Sequence, residues 1–160
     1  MGSQYHLYDL MSGFRNAMLV TRGLDGSIHA RPMAVAEISP DAEACFSTSL
    51  ESAKIAEIEA DPRVLITFQS RSEFATLQGT ATVSRDPAEI ERLWSESWRI
   101  WFPKGKEDPN LCLLKVTAER GEYWDTSGVE GLKFAFESVK ARLSGRTAEK
   151  SEGQNAKVEL

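Results

Sequence analysis

The chain has 160 residues, two cysteines and a formal net charge of -5. That length suits one domain with its own hydrophobic core, and the acidic balance argues against a general binder of nucleic acid, because phosphate backbones reward positive charge. No apolar run is long enough to span a bilayer, no basic region followed by an apolar stretch opens the chain, and no Cys/His spacing suggests zinc, so a cytoplasmic protein without membrane, nucleic-acid or metal partners is expected.

Leu7, Leu10, Met11 and Phe14 recur at helical spacing and predict a helix over Tyr5 to Phe14. Ala17 to Thr21 and Ile28 to Ile38 are strand-like runs separated by Asp25-Gly26, a hairpin signal whose turn residues favour positive φ. Pro32 inside the second run marks an edge or a bulge, since proline cannot donate to a ladder. Ser39-Pro40-Asp41 turns the chain into a third strand, Ala44 to Thr48. Thr48-Ser49-Leu50-Glu51 reads as a capping box for a helix to about Ala60, where Asp61-Pro62 stops it. Val64 to Phe68 and Glu73 to Ser84 are the next strands, paired across a polar turn.

Asp86-Pro87-Ala88-Glu89 supplies a cap, a first-turn proline and a third-position glutamate. The helix behind it carries Ile90, Leu93, Trp94, Trp98 and Trp101. Lys104 to Asn110 is a loop, Leu111 to Val116 is a strand, and Gly121 to Asp125 continues or follows it. Ser127-Gly128-Val129-Glu130 is a further capping box. The helix behind it has Val129, Leu132, Phe136, Val139 and Leu143 on one stripe. From Ser144 onward the chain is polar and reads as a disordered tail, 144–160, behind one domain over 1–143. Six strands with short helices between hairpins suggest a small antiparallel barrel, although periodicity alone does not separate a barrel from a sandwich. Cys45 and Cys112 lie in apolar runs and are expected as buried thiols.

The most informative stretch is Cys45 to Lys54, where an apolar strand runs into a capped helix. Thr48, Ser49 and Ser52 gather at the junction, with Lys54 close behind. Helix starts present unpaired N–H groups and a positive dipole end, so hydroxyls and a lysine there suit a phosphate. The plainer alternative is that Thr48 only caps the helix and Lys54 is a solvated side chain. Arg31 stands beside Pro32 on the preceding strand. Its fork suits a phosphate through two parallel bonds, and its alternative is an outward-facing strand residue paired with a carboxylate. Hairpin pairing can bring Arg31 and the Thr48 junction to one sheet edge. His29 shows no partner pattern for a catalytic triad, no GxSxG occurs, and Gly-rich phosphate loops are absent. Trp94 and Trp98 read as packing residues. Trp101-Phe102 enters a loop and Trp124 closes a strand, positions from which aromatic rings can meet a planar ligand.

The order Arg31-Pro32-Met33, Phe46-Ser47-Thr48, Ser52, Lys54 and Asp61-Pro62-Arg63-Val64 resembles the pyridoxamine 5′-phosphate oxidase-like superfamily. Phe74 to Val83 with its central Gly79, Trp101-Phe102-Pro103-Lys104-Gly105, Asp108-Pro109 and Glu122-Tyr123-Trp124-Asp125 resemble its general stress protein 26 branch. The resemblance covers about Tyr5 to Asp125. It implies a mainly β fold, a six-stranded antiparallel split β-barrel with flanking helices, and a homodimer with flavin mononucleotide (FMN) in a groove between subunits. By resemblance, Arg31 and Lys54 grip the FMN phosphate, and Thr48 and Ser52 bond that phosphate or the ribityl chain. The backbone of Pro32 and Met33 and the strand end at Ser47 line the ring, which Trp124, Trp101 and Phe102 close, in part from the partner.

The pattern also departs from the true oxidases. Ala53 stands where they carry a second basic residue, Ala36 where they carry a lysine, and no arginine–histidine element follows Trp124. The resemblance therefore implies FMN binding without vitamin B6 oxidase activity. The expected function is a flavin-dependent oxidoreductase with a nicotinamide donor, NADH or NADPH, and a small-molecule acceptor; no catalytic residue is singled out. The alternatives are a non-catalytic FMN-storing or FMN-sensing stress protein, a split barrel for haem or the deazaflavin F420, and a ligand-free structural dimer.

Overall fold

Apolar side chains at every second position turn the first runs into strands with one buried face. β1 (Asn16–Arg22) buries Ala17, Leu19 and Thr21, and β2 (Ile28–Ile38) pairs with it from Arg22↔Ile28 to Asn16↔Ala34. The hairpin between them closes through Gly23 N–H on Ser27 C=O and Gly26 N–H on Gly23 C=O, with Gly26 at φ +84°. This is a three-residue loop with one left-handed glycine, not a two-residue turn centred on Asp25-Gly26. Asp25 instead uses its carboxylate to accept the Ser27 N–H.

β3 (Glu43–Ser49) and the first half of β6 (Leu111–Asp125) read as mostly apolar runs because both of their faces are covered. Ala44, Phe46, Leu114 and Val116 enter the main core, whereas Cys45, Leu111 and Leu113 enter a second cluster with Ile90, Trp98 and Phe102. β4 (Arg63–Gln69) and β5 (Glu73–Ser84) pair along their length, and β5 pairs with β6. The computed structural model, which describes residues 2–41, 43–126 and 155–160, places the strands in the order β3-β2-β1-β4-β5-β6. A β3–β6 ladder, Glu43↔Thr117 to Ser49↔Leu111, closes them into the six-stranded antiparallel barrel that the sequence suggests.

Four elements differ from the sequence reading. First, β3 runs on through Thr48 and Ser49 in its ladder with β6, so the capping box does not form. Ser52 is the N-cap of α2 (Ala53–Ala60), without a side-chain cap bond. Second, the tryptophan helix is two pieces. α3 (Pro87–Leu93), capped by Asp86 accepting the Ala88 N–H, ends at Trp94, and Ser95, in an extended conformation, then caps a 3-10 helix, Glu96–Ile100. A serine that offers its own acceptor to Ser97 N–H competes with continuation of the helix. Third, β6 also takes in residues 117–120, so Gly121 to Asp125 continues the Leu111 to Val116 strand, as one of the two readings had it, with Glu119 bulged between Gln78↔Arg120 and Gly79↔Ala118. Fourth, part of the expected tail is structured: β7 (Asn155–Glu159) pairs with Arg120–Trp124 of β6, and Val158 joins the core. The expected helix over 127–143 and the tail residues 144–154 lie outside the described residues.

α1 (Gly2–Ser12) buries Leu7, Leu10 and Met11, and Phe14 behind it meets Phe68, where β1 begins and β4 ends. α3 is fastened by Arg92, whose two N–H groups each reach Glu37 at 2.8 Å, and by Glu89, which accepts from Lys115 at 2.7 Å. Both thiols are buried as expected, and burial pushes each up to about 11. Among the described residues, no helix is long and apolar enough to cross a membrane.

Gly79 sits where β5 presses against the β6 bulge. A Cβ there would collide with the backbone of Thr117 and Ala118, which have no side-chain freedom with which to yield. Gly79→Ala is expected to lower unfolding stability by about 3 kcal/mol, the upper end for overpacking, as measured by denaturant unfolding.

Candidate anion site at the barrel mouth

The inward rows of β1, β2 and β3 are apolar in the barrel and polar at one mouth. Leu19 pairs with Arg31 and Thr21 with His29, so His29, Arg31 and Thr21 continue the rows that hold Met33 and Leu19. Thr48 continues the row of Ala44 and Phe46 and is itself buried. α2 lies over this mouth: Ile58 enters the core and Ile55 is buried. Lys54 and Glu57, three positions apart on one helical face, reach the strand residues.

Glu57 is nearly buried, with 7% of its side chain exposed, and collects donors from two strands. Its Oε2 accepts from Thr21 at 2.5 Å and from Arg31 Nη2 at 2.9 Å, and its Oε1 lies 2.7 Å from His29 Nδ1. Arg31 also donates from Nη1 to Thr21. The Thr21 bond first, then those of His29 and Arg31, outweigh burial and hold the carboxyl at about 2. Arg31 thus uses one N–H on each terminal nitrogen and keeps Nε–H and two others.

Lys54 is differently placed. Its ammonium donates to Thr48 Oγ1 at 2.8 Å and to Ser52 Oγ at 2.6 Å, both neutral oxygens. No ion pair among the described residues includes it. Burial, and then the charge of Arg31 nearby, push it below the usual lysine range. A half-buried cation held by two hydroxyls beside a second cation, at the start of a helix, favours an anion over any other ligand.

This mouth gathers Arg31, Thr48, Ser52 and Lys54, four of the residues expected to hold a cofactor. Beside it the β2–β3 ladder stops at Val35↔Phe46, so Arg31–Ala34 and Ser47–Ser49 have no ladder partners in each other. Pro32 lies on this stretch with its ring exposed, where its missing N–H costs no β3 bond. Met33 sends its side chain into the core and offers only backbone. Ser47, on the opposite face from Thr48, pairs with Leu113. The aromatic residues are elsewhere. Trp101 is 68% exposed at the end of the 3-10 helix, Phe102 is buried in the second cluster, and Trp124 borders a shallow groove with Phe74, Gln69 and Thr76.

Thr21, Glu57 and His29 were not expected here. The strand period did carry a signal, since His29 and Arg31 share a face. Lys54, Glu57 and Ile58 also fall on one side of α2, which puts an acid on a buried stripe. His29 does have partners, Glu57 and Ser27, although no sequence pattern announces them.

The fold and mouth together define an antiparallel barrel with a cationic, hydroxyl-lined mouth whose chemistry suits an anion. The family model described as pyridoxamine 5′-phosphate oxidase like matches residues 3–149, and the chain belongs to this family. A solved structure from Jannaschia sp. CCS1, described as a candidate general stress protein 26, is 29% identical over 100% of both chains, with a TM-score of 0.75. The general stress FMN/FAD binding protein of Xanthomonas citri is 34% identical over 78% of this chain and 89% of its own, with a TM-score of 0.67. A candidate general stress family protein of Xanthomonas campestris is 32% identical over 79% and 89%, also at 0.67. These neighbours agree with the branch expected from the sequence. No curated protein matches the chain in sequence.

A carboxyl held at about 2 in the fold, against 4.5 when unfolded, stabilises above pH 4.5, and the contribution is lost as pH falls through about 2. Glu57→Gln is expected to be about 2 to 3 kcal/mol less stable near neutral pH. The variant should also lose less further stability than the parent on acidification through that range, as followed by urea unfolding against pH.

Proposed function

We propose that the protein binds FMN at this mouth, with the phosphate held by Arg31 and Lys54 and bonded by Thr48 and Ser52. The observation that carries this reading is Lys54, a half-buried cation whose side-chain bonds all go to hydroxyls and which stands beside a second cation. Its support from relatives is the flavin-binding neighbour from Xanthomonas citri. The unpaired strand edges at Arg31–Ala34 and Ser47–Ser49 offer backbone N–H and C=O groups along which a flat ring can lie. Once bound, FMN would supply the capacity to accept and pass on electrons. The chain's residues anchor the phosphate, keep Arg31 oriented through Thr21 and Glu57, and present strand backbone to the ring. The reading extends to an oxidoreductase that draws on NADH or NADPH and reduces a small acceptor.

A homodimer belongs to the same proposal. The outer face of β1, β2 and β4 presents Met18, Val20, Ala30, Pro32 and Leu65, an uncharged and mostly apolar surface spread over paired strands. Such a face suits a second copy. Light scattering at micromolar concentration is expected to give the mass of two chains; one chain's mass would refute this part.

The deciding experiment is titration of the protein with FMN and with riboflavin, which lacks the phosphate. The combined Arg31→Ala and Lys54→Ala variant is expected to weaken FMN by about 2 to 4 kcal/mol and to leave riboflavin nearly unchanged. Equal FMN affinity in parent and variant would place the phosphate elsewhere. Tight FMN binding without NADH or NADPH turnover across a panel of acceptors would favour a flavin store or sensor over an enzyme.

A further inference from the structure

His29 stands outside the direct phosphate grip, yet it shares a carboxylate with Arg31. Its Nδ1 faces Glu57 Oε1 at 2.7 Å and its Nε2 faces Ser27 Oγ at 3.0 Å. Ser27 Oγ donates to Asp25 Oδ1, and Asp25 also accepts the Ser27 N–H. A serine hydroxyl has a single hydrogen. With that hydrogen on Asp25, Ser27 Oγ can only accept from His29, so Nε2 must donate. Glu57 is ionised, so Nδ1 must donate as well. An imidazole that donates from both nitrogens carries the extra proton. The heavy atoms therefore describe an imidazolium bridging the β1–β2 hairpin to α2.

The charged groups around it are few. Asp25 faces it from the hairpin, Glu57 from α2 and Arg31 from two positions along β2, while Arg22 at the end of β1 is turned toward Asp61. Lys54 lies beyond Arg31. Protonated His29 and Arg31 thus divide one carboxylate, His29 on Oε1 and Arg31 on Oε2. If Nε2 loses its proton, it can accept the Ser27 hydrogen, which Asp25 then gives up. Arg31 is left as the only cation bonded to Glu57, and more of its charge is spent there.

We propose that His29 is a positioning residue of the anion site: its imidazolium takes up part of the Glu57 charge, frees Arg31 toward a phosphate monoester, and so raises phosphate affinity when His29 gains a proton from water. This rests on the FMN reading above.

The test titrates FMN and riboflavin into the parent, His29→Gln and His29→Lys at about pH 6 and about pH 8.5. The phosphate's own ionisation shifts FMN affinity equally in all three, so ratios between proteins at one pH isolate residue 29. At the lower pH, His29→Gln is expected to bind FMN about fivefold more weakly than the parent, a modest coupling, and at the higher pH to match it. His29→Lys, cationic throughout, is expected to bind FMN at least as tightly as the parent at the lower pH and more tightly than the parent at the higher. Riboflavin affinities are expected to stay level. The same FMN ratio of parent to His29→Gln at both pH values, or parallel losses for riboflavin, would assign His29 a merely structural role and overturn the proposal while leaving FMN binding standing. No FMN binding by the parent at either pH would overturn both.

Discussion

A carboxylate buried at the mouth of a barrel survives as an anion only where donors surround it. Glu57 finds them on Thr21, His29 and Arg31, and because those residues belong to the first hairpin while Glu57 belongs to α2, the electrostatic requirement is also an architectural one. The helix cannot drift from the mouth without stranding the charge, and the hairpin cannot slide by one residue without turning all three partners to the wrong face. Ile55 and Ile58 supply the apolar burial that holds α2 down; Glu57 sets where along the mouth it sits. Lys54, one turn earlier on the same helix, is thereby brought to Thr48.

The two halves of the mouth divide the work of an anion site. Arg31 is compensated and therefore oriented, while Lys54 is uncompensated and therefore available. A site of two unpaired cations would resist folding, since like charges close together repel with nothing between them. A site of two fully paired cations would have little left for a ligand. The arrangement found here keeps the folded chain tolerable and leaves about one net positive charge at the mouth, counted over Arg31, Lys54 and Glu57, to which His29 adds when it is protonated.

Much of the fold was legible because strand period and turn chemistry are local. The run Ile28 to Ile38 and the run Glu73 to Ser84 both appear with the bounds read from the residues. What was not legible depended on distant partners. The box at Thr48–Glu51 has every capping residue, but β6 holds Thr48 and Ser49 in a ladder, and the helix waits for Ser52. Ala156, Val158 and Leu160 alternate as a strand would, yet so short a run among polar residues gains meaning only from the β6 edge that receives it. In the site, Arg31 and Lys54 could be suspected from their types and neighbours. Arg31 was weighed as an outward residue paired with a carboxylate; the carboxylate is there, but the side chain faces inward, onto a helix whose approach no spacing reveals. Glu57 was missed because a helical stripe says which residues share a face and not what lies across from it.

One edge of β6 serves two masters. β3 takes Leu111 to Thr117 and β7 takes Arg120 to Trp124, with the Glu119 bulge near the junction. The barrel thus closes on the first half alone, and on this edge the second half takes its backbone partners from residues far along the chain, while β5 holds the opposite edge. A shortened chain that ends before Asn155 would keep its barrel and bare a row of N–H and C=O groups next to the hydrophobic bed left by Val158. Such an exposed strand invites another chain to dock on it. Asn155–Glu159 therefore acts as a cover for that strand edge as much as a part of the architecture.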